Sequence, residues 1–186
     1  MIEALLRRLA RALDDQKIPY MVIGGQAVLL YGFPRFTRDI DITLGVDTDF
    51  YENLSALCLR LKLNILPKRP KTFVGNTKVL PAEDPSSKIR VDFIFSNTPY
   101  ERQAIRRAKK VSFKGKRVCF ASPEDLIIHK MFSGRAIDLE DVRTILIKKR
   151  KAVKIPYIRR WLKEFSKVKE VGENPLLAFD RLRQSL

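Results

Sequence analysis

Two short apolar runs of this chain carry carboxylates that such runs ordinarily exclude. Asp39 and Asp41 lie in Arg38-Asp39-Ile40-Asp41-Ile42, and Asp92 lies in Arg90-Val91-Asp92-Phe93-Ile94. Both runs read as buried strands, where an ionised side chain is costly unless it is paired or holds a metal. Side chains two apart in a strand share a face, so Asp39 and Asp41 project together, roughly 6–7 Å apart. With the second strand alongside the first, Asp92 completes a three-carboxylate cluster. Like charges so close repel unless cations neutralise them. Hard oxygen ligands with room for water suit magnesium, which with carboxylates usually accompanies a substrate phosphate. The plainer alternative stays open: Asp39 caps a turn, and Asp92 pairs with Arg90 or another basic side chain at a sheet edge.

Two upstream features bear on that choice. Ile23-Gly24-Gly25-Gln26-Ala27 follows the apolar run Tyr20-Met21-Val22-Ile23, and residues 26–31 read as a short helix that Gly32 ends. Strand, paired glycines and helix form a geometry in which bare N–H groups can approach a phosphate. Gly-Gly is also ordinary turn punctuation. The interval from Gly25 to Asp39 holds one short helix and a return into a neighbouring strand, which brings glycines and carboxylates to the same end of a sheet. Arg35 and Thr37 precede the aspartates at alternate positions and offer a cation and a hydroxyl.

Gly24-Gly25, a short helix, Arg35-x-Thr37-x-Asp39-Ile40-Asp41 and a later hydrophobic strand with Asp92 resemble the nucleotidyltransferase superfamily, with its polymerase beta-like fold. Within it the chain looks most like the AbiEii-type toxin group of toxin–antitoxin systems. That narrower likeness rests on His129-Lys130-x4-Arg135-x2-Asp138-Leu139-Glu140-Asp141-Val142, similar to a Lys…Arg…Lys-Asp-Leu-x-Asp segment of the group. Ala136-Ile137 departs from it, since Pro or Arg and then Lys are expected there. The likeness covers residues 20 to about 146.

The resemblance implies a mixed twisted α/β (α+β) sheet flanked by helices, with a catalytic core over 1–121 and a helical portion over 122–186 that completes the nucleotide site. It implies transfer of a nucleoside monophosphate from a nucleoside triphosphate (NTP) to an acceptor hydroxyl. Asp39, Asp41 and Asp92 would hold Mg2+, as two metals. Gly24 and Gly25 would contact the triphosphate, with Arg35, Thr37, Lys130, Arg135 and Asp138 around the nucleotide. The implied acceptor is RNA, such as a tRNA 3′ end, and the implied partner a cognate antitoxin. A small-molecule or protein acceptor, or a non-catalytic binding module on the same fold, are the alternatives.

Composition narrows the field. The chain has 186 residues, 45% of them hydrophobic, which suits one domain with a small helical appendage. No apolar run approaches the roughly 20 residues of a membrane span, and residues 1–17 lack a signal-like block, so a cytoplasmic location is expected. Cys58 and Cys119 show no metal or disulfide spacing and read as reduced core thiols. The single histidine, His129, reads as a packing or surface residue, and zinc is not expected. The net charge is +16, from 37 Lys and Arg against 21 acids. The cations crowd residues 102–117 and 148–169, in the second of which Glu164 is the only acid. Such surfaces attract polyphosphates, above all nucleic acid. A lysine-rich solvated surface or an antitoxin-binding face is the alternative.

The remaining pattern predicts a helix over 2–16, strands at 20–23 and 39–44, and a helix to about Leu61 opened by an Asp49-x-x-Glu52 capping box. A short strand is expected at 63–66 and a strand pair at 72–80 among the prolines of 67–87. A strand over 88–95, a helix over 99–107 and a hairpin of 111–113 with 117–120 through Lys114-Gly115-Lys116 follow. Ser122-Pro123-Glu124-Asp125 reads as a helix start bearing Lys130. Further helices are expected from Asp138 to about Lys149, from Pro156, and over 175–183, with Asp138-x-x-Asp141 open to a capping role.

Overall fold

A computed structural model describes residues 1–113, 115–168 and 172–186, so Lys114 of the expected hairpin and Lys169 of the second basic run lie outside the described residues. The described chain divides into two compact units, residues 1–26 with 37–121 and residues 27–36 with 122–186. Its secondary structure is a mixture of helices and a mixed sheet, the α/β architecture read from the sequence.

All strands of the sheet belong to the first unit. They are β1 (Tyr20–Ile23), β2 (Asp39–Leu44), β3 (Asn64–Ile65), β4 (Val79–Asp84), β5 (Ile89–Phe95), β6 (Lys109–Phe113) and β7 (Lys116–Phe120). Their order across the sheet is β3-β4-β5-β2-β1-β7-β6. β2 runs parallel to β5 and β1 parallel to β7, while the other neighbours are antiparallel. Period-two burial sets the faces. In β5 Ile89, Val91, Phe93 and Phe95 are buried, and in β2 Ile40, Ile42 and Leu44 are. Arg90 and Asp92, like Asp39 and Asp41, therefore fall on the opposite face. Helix α1 (Ile2–Asp15) packs on β7 and buries Leu5, Leu6, Leu9 and Leu13.

Helix α2 (Gly24–Tyr31) starts two residues earlier than the sequence suggests, so both glycines sit in its first turn. Gly24 holds a left-handed φ of +62°, which lets the chain pass directly from β1 into the helix. Helix α3 (Tyr51–Arg60) is preceded by a 3-10 turn at Thr48–Phe50 that Asp47, not Asp49, caps: its carboxylate accepts from Thr48 N at 2.6 Å. The region read as a strand pair at 72–80 is instead helix α4 (Pro70–Thr77) followed by β4. Pro70 in its first turn and Lys78 in the left-handed region at its end fix the boundaries, and only Val74 of α4 is buried. Helix α5 (Pro99–Arg107) is capped by Thr98.

In the second unit, helix α6 (Pro123–Ser133) starts as its sequence predicts, with the Ser122 hydroxyl accepting from Asp125 N and Pro123 in the first turn. The Asp125 carboxylate accepts from Ser122 Oγ at 2.5 Å and from Tyr157 Oη at 2.7 Å. Helices α7 (Ala136–Lys149), α8 (Ile155–Ser166) and α9 (Pro175–Gln184) complete the unit. Cys58 and Cys119 are free thiols, and burial pushes Cys58 up to about 12. Among the described residues no helix is long and apolar enough to cross a membrane.

His129 gives the second unit a pH dependence. Burial pushes its pKa down to about 4, against an opposing pull from Asp125, so the folded chain holds it neutral at pH 7. An unfolded histidine titrates near 6.5. As pH falls from about 6.5 towards 4, the unfolded chain takes up a proton that the folded chain refuses, and stability drops over that window. We expect urea unfolding to lose about 2 kcal/mol between pH 7 and pH 5 from this residue, and His129→Leu to flatten that stretch of the profile. An unchanged profile in the variant would remove His129 as the cause.

Candidate active site

The carboxylates of the first unit are placed by strand register. Asp41 of β2 is the Cα partner of Asp92 in β5, and Asp39 is the partner of Arg90. The period of two puts all four side chains on one face, in two adjacent rows. Asp39 is exposed, while Asp41 and Asp92 are half-buried.

The Asp41 carboxylate lies against the Cα of Gly24. A Cβ built on Gly24 would stand 1.9 Å from Asp41 Oδ2. A Cβ on Gly25 would stand 2.4 Å from Thr37 Oγ1. Both glycines are thus required by side chains that occupy the space above them, in addition to the left-handed φ of Gly24. The first turn of α2 carries the positive end of its dipole, a favourable neighbour for the Asp41 charge. Gln26, buried at 5% exposure, donates from Nε2 to the Asp39 carbonyl at 3.3 Å and ties α2 to the start of β2. Nothing in residue spacing signalled that tie.

Asp92 is turned towards Arg90, whose Nε donates to its Oδ1 at 2.8 Å. The guanidinium is held above its ordinary pKa, first by that hydrogen bond and further by the charges of Asp92, Asp39 and Asp41. Arg90 is thus a cation in the field of all three aspartates. Among the described residues no group of three or more His, Cys, Asp and Glu side chains converges at metal-holding distance. The donor set still fits magnesium, which is commonly bound by one or two carboxylates with water completing its shell. Asp41 and Asp92, register partners on one face, would supply that pair, with Asp39 beside them.

In the second unit, the remaining basic candidates form a buried ion network. Lys130, at 5% exposure, lies 2.6 Å from Asp138 Oδ1 and 2.8 Å from Asp141 Oδ2. Arg35 grips Asp141 through two bonds of 2.8 and 2.9 Å, which raise its pKa, and Arg135 grips Asp138 at 2.6 Å. Burial alone would raise Asp138, but hydrogen bonds from Arg135 and Lys130 bring it down to about 2. Asp138 and Asp141 act as acceptors for side chains, not as caps, and α7 begins two residues before Asp138. The Arg35–Asp141 pair spans 106 residues of sequence and no local pattern announces it.

Comparison with known proteins adds the family. The family model described as "Nucleotidyltransferase of unknown function (DUF6036)" matches residues 1–174. Among solved structures, the antibiotic-resistance factor ANT(2″)-Ia is similar at 14% identity over 99% of this chain and 97% of that one, with a TM-score of 0.61. The same factor in complex with adenylyl-2″-tobramycin is similar at 16% identity over 89% and 97%, with a TM-score of 0.60. An antigenic nucleotidyltransferase-like protein from Paracoccidioides brasiliensis is similar at 20% identity over 95% and 92%, with a TM-score of 0.55. These structures share the nucleotidyltransferase fold with this chain. Among curated proteins, comparison by sequence finds no match.

Three substitutions test the site's construction. Gly24→Ala places a side chain at φ +62° and into the Asp41 carboxylate, and it should cost at least about 1–2 kcal/mol, read as a lowered Tm. Lys130→Met keeps the aliphatic stem and leaves two buried carboxylates short of a cation, so a loss of about 3 kcal/mol is expected in urea unfolding. Arg135→Ala, at a side chain 70% exposed, should cost less than about 1 kcal/mol. Equal losses in Lys130→Met and Arg135→Ala would contradict a Lys130-centred network.

Proposed function

This chain belongs to the DUF6036 nucleotidyltransferases, and we propose that it moves a nucleoside monophosphate from an NTP to a hydroxyl of an RNA acceptor, with magnesium held by Asp41, Asp92 and Asp39. The observation that carries this reading is the register of β2 and β5, which sets Asp41 opposite Asp92 one strand away from the glycine turn. In the reaction the acceptor oxygen bonds to the α-phosphorus of the NTP. The bond from that phosphorus to the bridging oxygen breaks, pyrophosphate leaves with the electron pair, and the hydroxyl proton passes to solvent. Bound magnesium ions, as a pair, would stabilise charge on the attacking and leaving oxygens. Gly24 and Gly25 would bring the first turn of α2 to the triphosphate, with the Asp41 carboxylate and the Thr37 hydroxyl lying against them. Lys130, Arg135 and Asp138 serve as the ion-paired frame of the second unit.

Charge supports an RNA acceptor. A chain of net charge +16 favours a polyanion and disfavours a cationic acceptor such as tobramycin, the acceptor portion of the compound bound to ANT(2″)-Ia. A toxin role with a cognate antitoxin is a narrower form of the proposal, carried by the resemblance of the Lys130–Asp141 segment.

The test is transfer of label from each α-labelled NTP, with magnesium, to total RNA, to protein and to an aminoglycoside. Wild type should label RNA, and Asp39→Ala/Asp41→Ala should fall to background. Label on protein or drug alone would overturn the acceptor. Label by wild type and the double variant alike would overturn the catalytic assignment.

A further inference from the structure

Beside the carboxylates, on the same face of the sheet, lies a cavity of about 580 Å³. Pro81 of β4 is the register partner of Asp92, and the Leu66 amide donates to the Pro81 carbonyl at 3.0 Å. Leu66, Pro81, Asp92 and Asp41 therefore form one row across neighbouring strands, spaced by about 4.8 Å per strand. Leu66 and Pro81 line the cavity, and Arg90, already bonded to Asp92, forms the wall nearest the carboxylates. Lys68, Arg69 and the exposed ring of Phe73 on α4 line it further out. Among the described residues three cations line this space and no carboxylate does. The size lies within the range of small-ligand sites.

The sheet sets an order. The glycine turn follows β1, Asp41 lies on β2, Asp92 on β5, and the cavity beyond it on β4 and β3. In-line displacement needs the attacking hydroxyl on the side opposite the leaving pyrophosphate. A triphosphate at the glycine end leaves the cavity end for the acceptor. Cations with an exposed aromatic ring suit a ligand that is both anionic and flat, since a base stacks on the ring while its phosphates meet the cations.

From this we infer that the cavity between β4, α4 and Arg90 is the acceptor subsite, which takes the 3′-terminal nucleotide of a single-stranded RNA. The inference rests on the reading of the chain as an RNA nucleotidyltransferase. Phe73 stacks on the terminal base, and Lys68 and Arg69 hold the phosphate that precedes it. Arg90 positions the terminal sugar beside Asp92. Arg90 keeps its Nε on Asp92 Oδ1 and turns its other N–H groups to the acceptor, so Asp92 stays oriented as the acceptor enters.

The experiment is a binding cycle by fluorescence anisotropy. A 5′-fluorescein-labelled 12-nucleotide RNA, and the same strand with an abasic 3′-terminal nucleotide, are titrated without NTP or metal. The proteins are wild type, Phe73→Ala and Lys68→Ala/Arg69→Ala, each checked by thermal melting; the substituted side chains are exposed. Phe73→Ala and the abasic end should each weaken binding about tenfold, and together no more than about tenfold, because they remove one contact. The double cation variant should lower the slope of log K against log salt by about 0.7, one phosphate contact's worth for a single strand. Losses that multiply, an unchanged affinity in Phe73→Ala, or no binding by wild type overturn the subsite. Label transfer to RNA with unaltered affinity in these variants overturns the subsite and leaves the transferase reading standing. The expected binding cycle without any transfer overturns that reading and the acceptor role with it, and leaves the cavity as a binding site for an RNA 3′ end.

Discussion

The parallel pairing of β2 with β5 is the constraint on which the site depends. It is enforced by residues that take no part in chemistry. Ile40, Ile42 and Leu44 on one strand, and Val91, Phe93 and Phe95 on the other, must share the buried face. A slip of one residue would expose all of them, so the register is locked by apolar burial. Once it is locked, Asp41 faces Asp92 and Asp39 faces Arg90 with no freedom left. The electrostatic cost of three carboxylates on one face is borne by the apolar face behind them, and lessened by Arg90 in their midst.

The second constraint is steric. Gly24 and Gly25 are spaces into which Asp41 and Thr37 fit. Without Cβ atoms the first turn of α2 packs directly against these two side chains. One feature of the sequence thus meets two demands: close approach of side chains to the chain, and a left-handed φ at Gly24. The usual account of paired glycines as turn punctuation misses the first demand, because it considers the backbone alone.

Features with a short period were legible in the sequence. Asp39-x-Asp41, the alternation around Asp92, and the Ser122-Pro123 helix start are all local, and each appears where its pattern places it. Features that depend on distant contacts were not. The Arg35–Asp141 pair and the Gln26 bond to the Asp39 carbonyl arise only after the chain has folded. Helix α4 was read as strand because it buries little: Val74 is its one buried side chain, so it shows no helical stripe. Its start is written in Pro70, a residue that loops and helices use equally. The capping residue before α3 was misplaced by two positions because Asp47 and Asp49 offer the same side chain. The resemblance sets Lys130 near the nucleotide, and spacing alone does not reveal that Asp138 and Asp141 also pair with it.

The state of Asp92 follows from how weak its partner is. The Arg90 side chain is 50% exposed and that of Asp92 20%, so their bond is an ion pair at the edge of solvent. Such pairs contribute about 0–1 kcal/mol, because water competes for both ends. In the proposed site a divalent cation held by Asp41 and Asp92 would gain more, since its charge is doubled and it would offset the repulsion between the two aspartates. Arg90 therefore holds the carboxylate in place without holding it back. The same reasoning explains why an arginine suits this position better than a lysine. Its planar fork can keep one N–H on Asp92 while another turns to a phosphate or a sugar oxygen, so the carboxylate stays oriented while its partner changes.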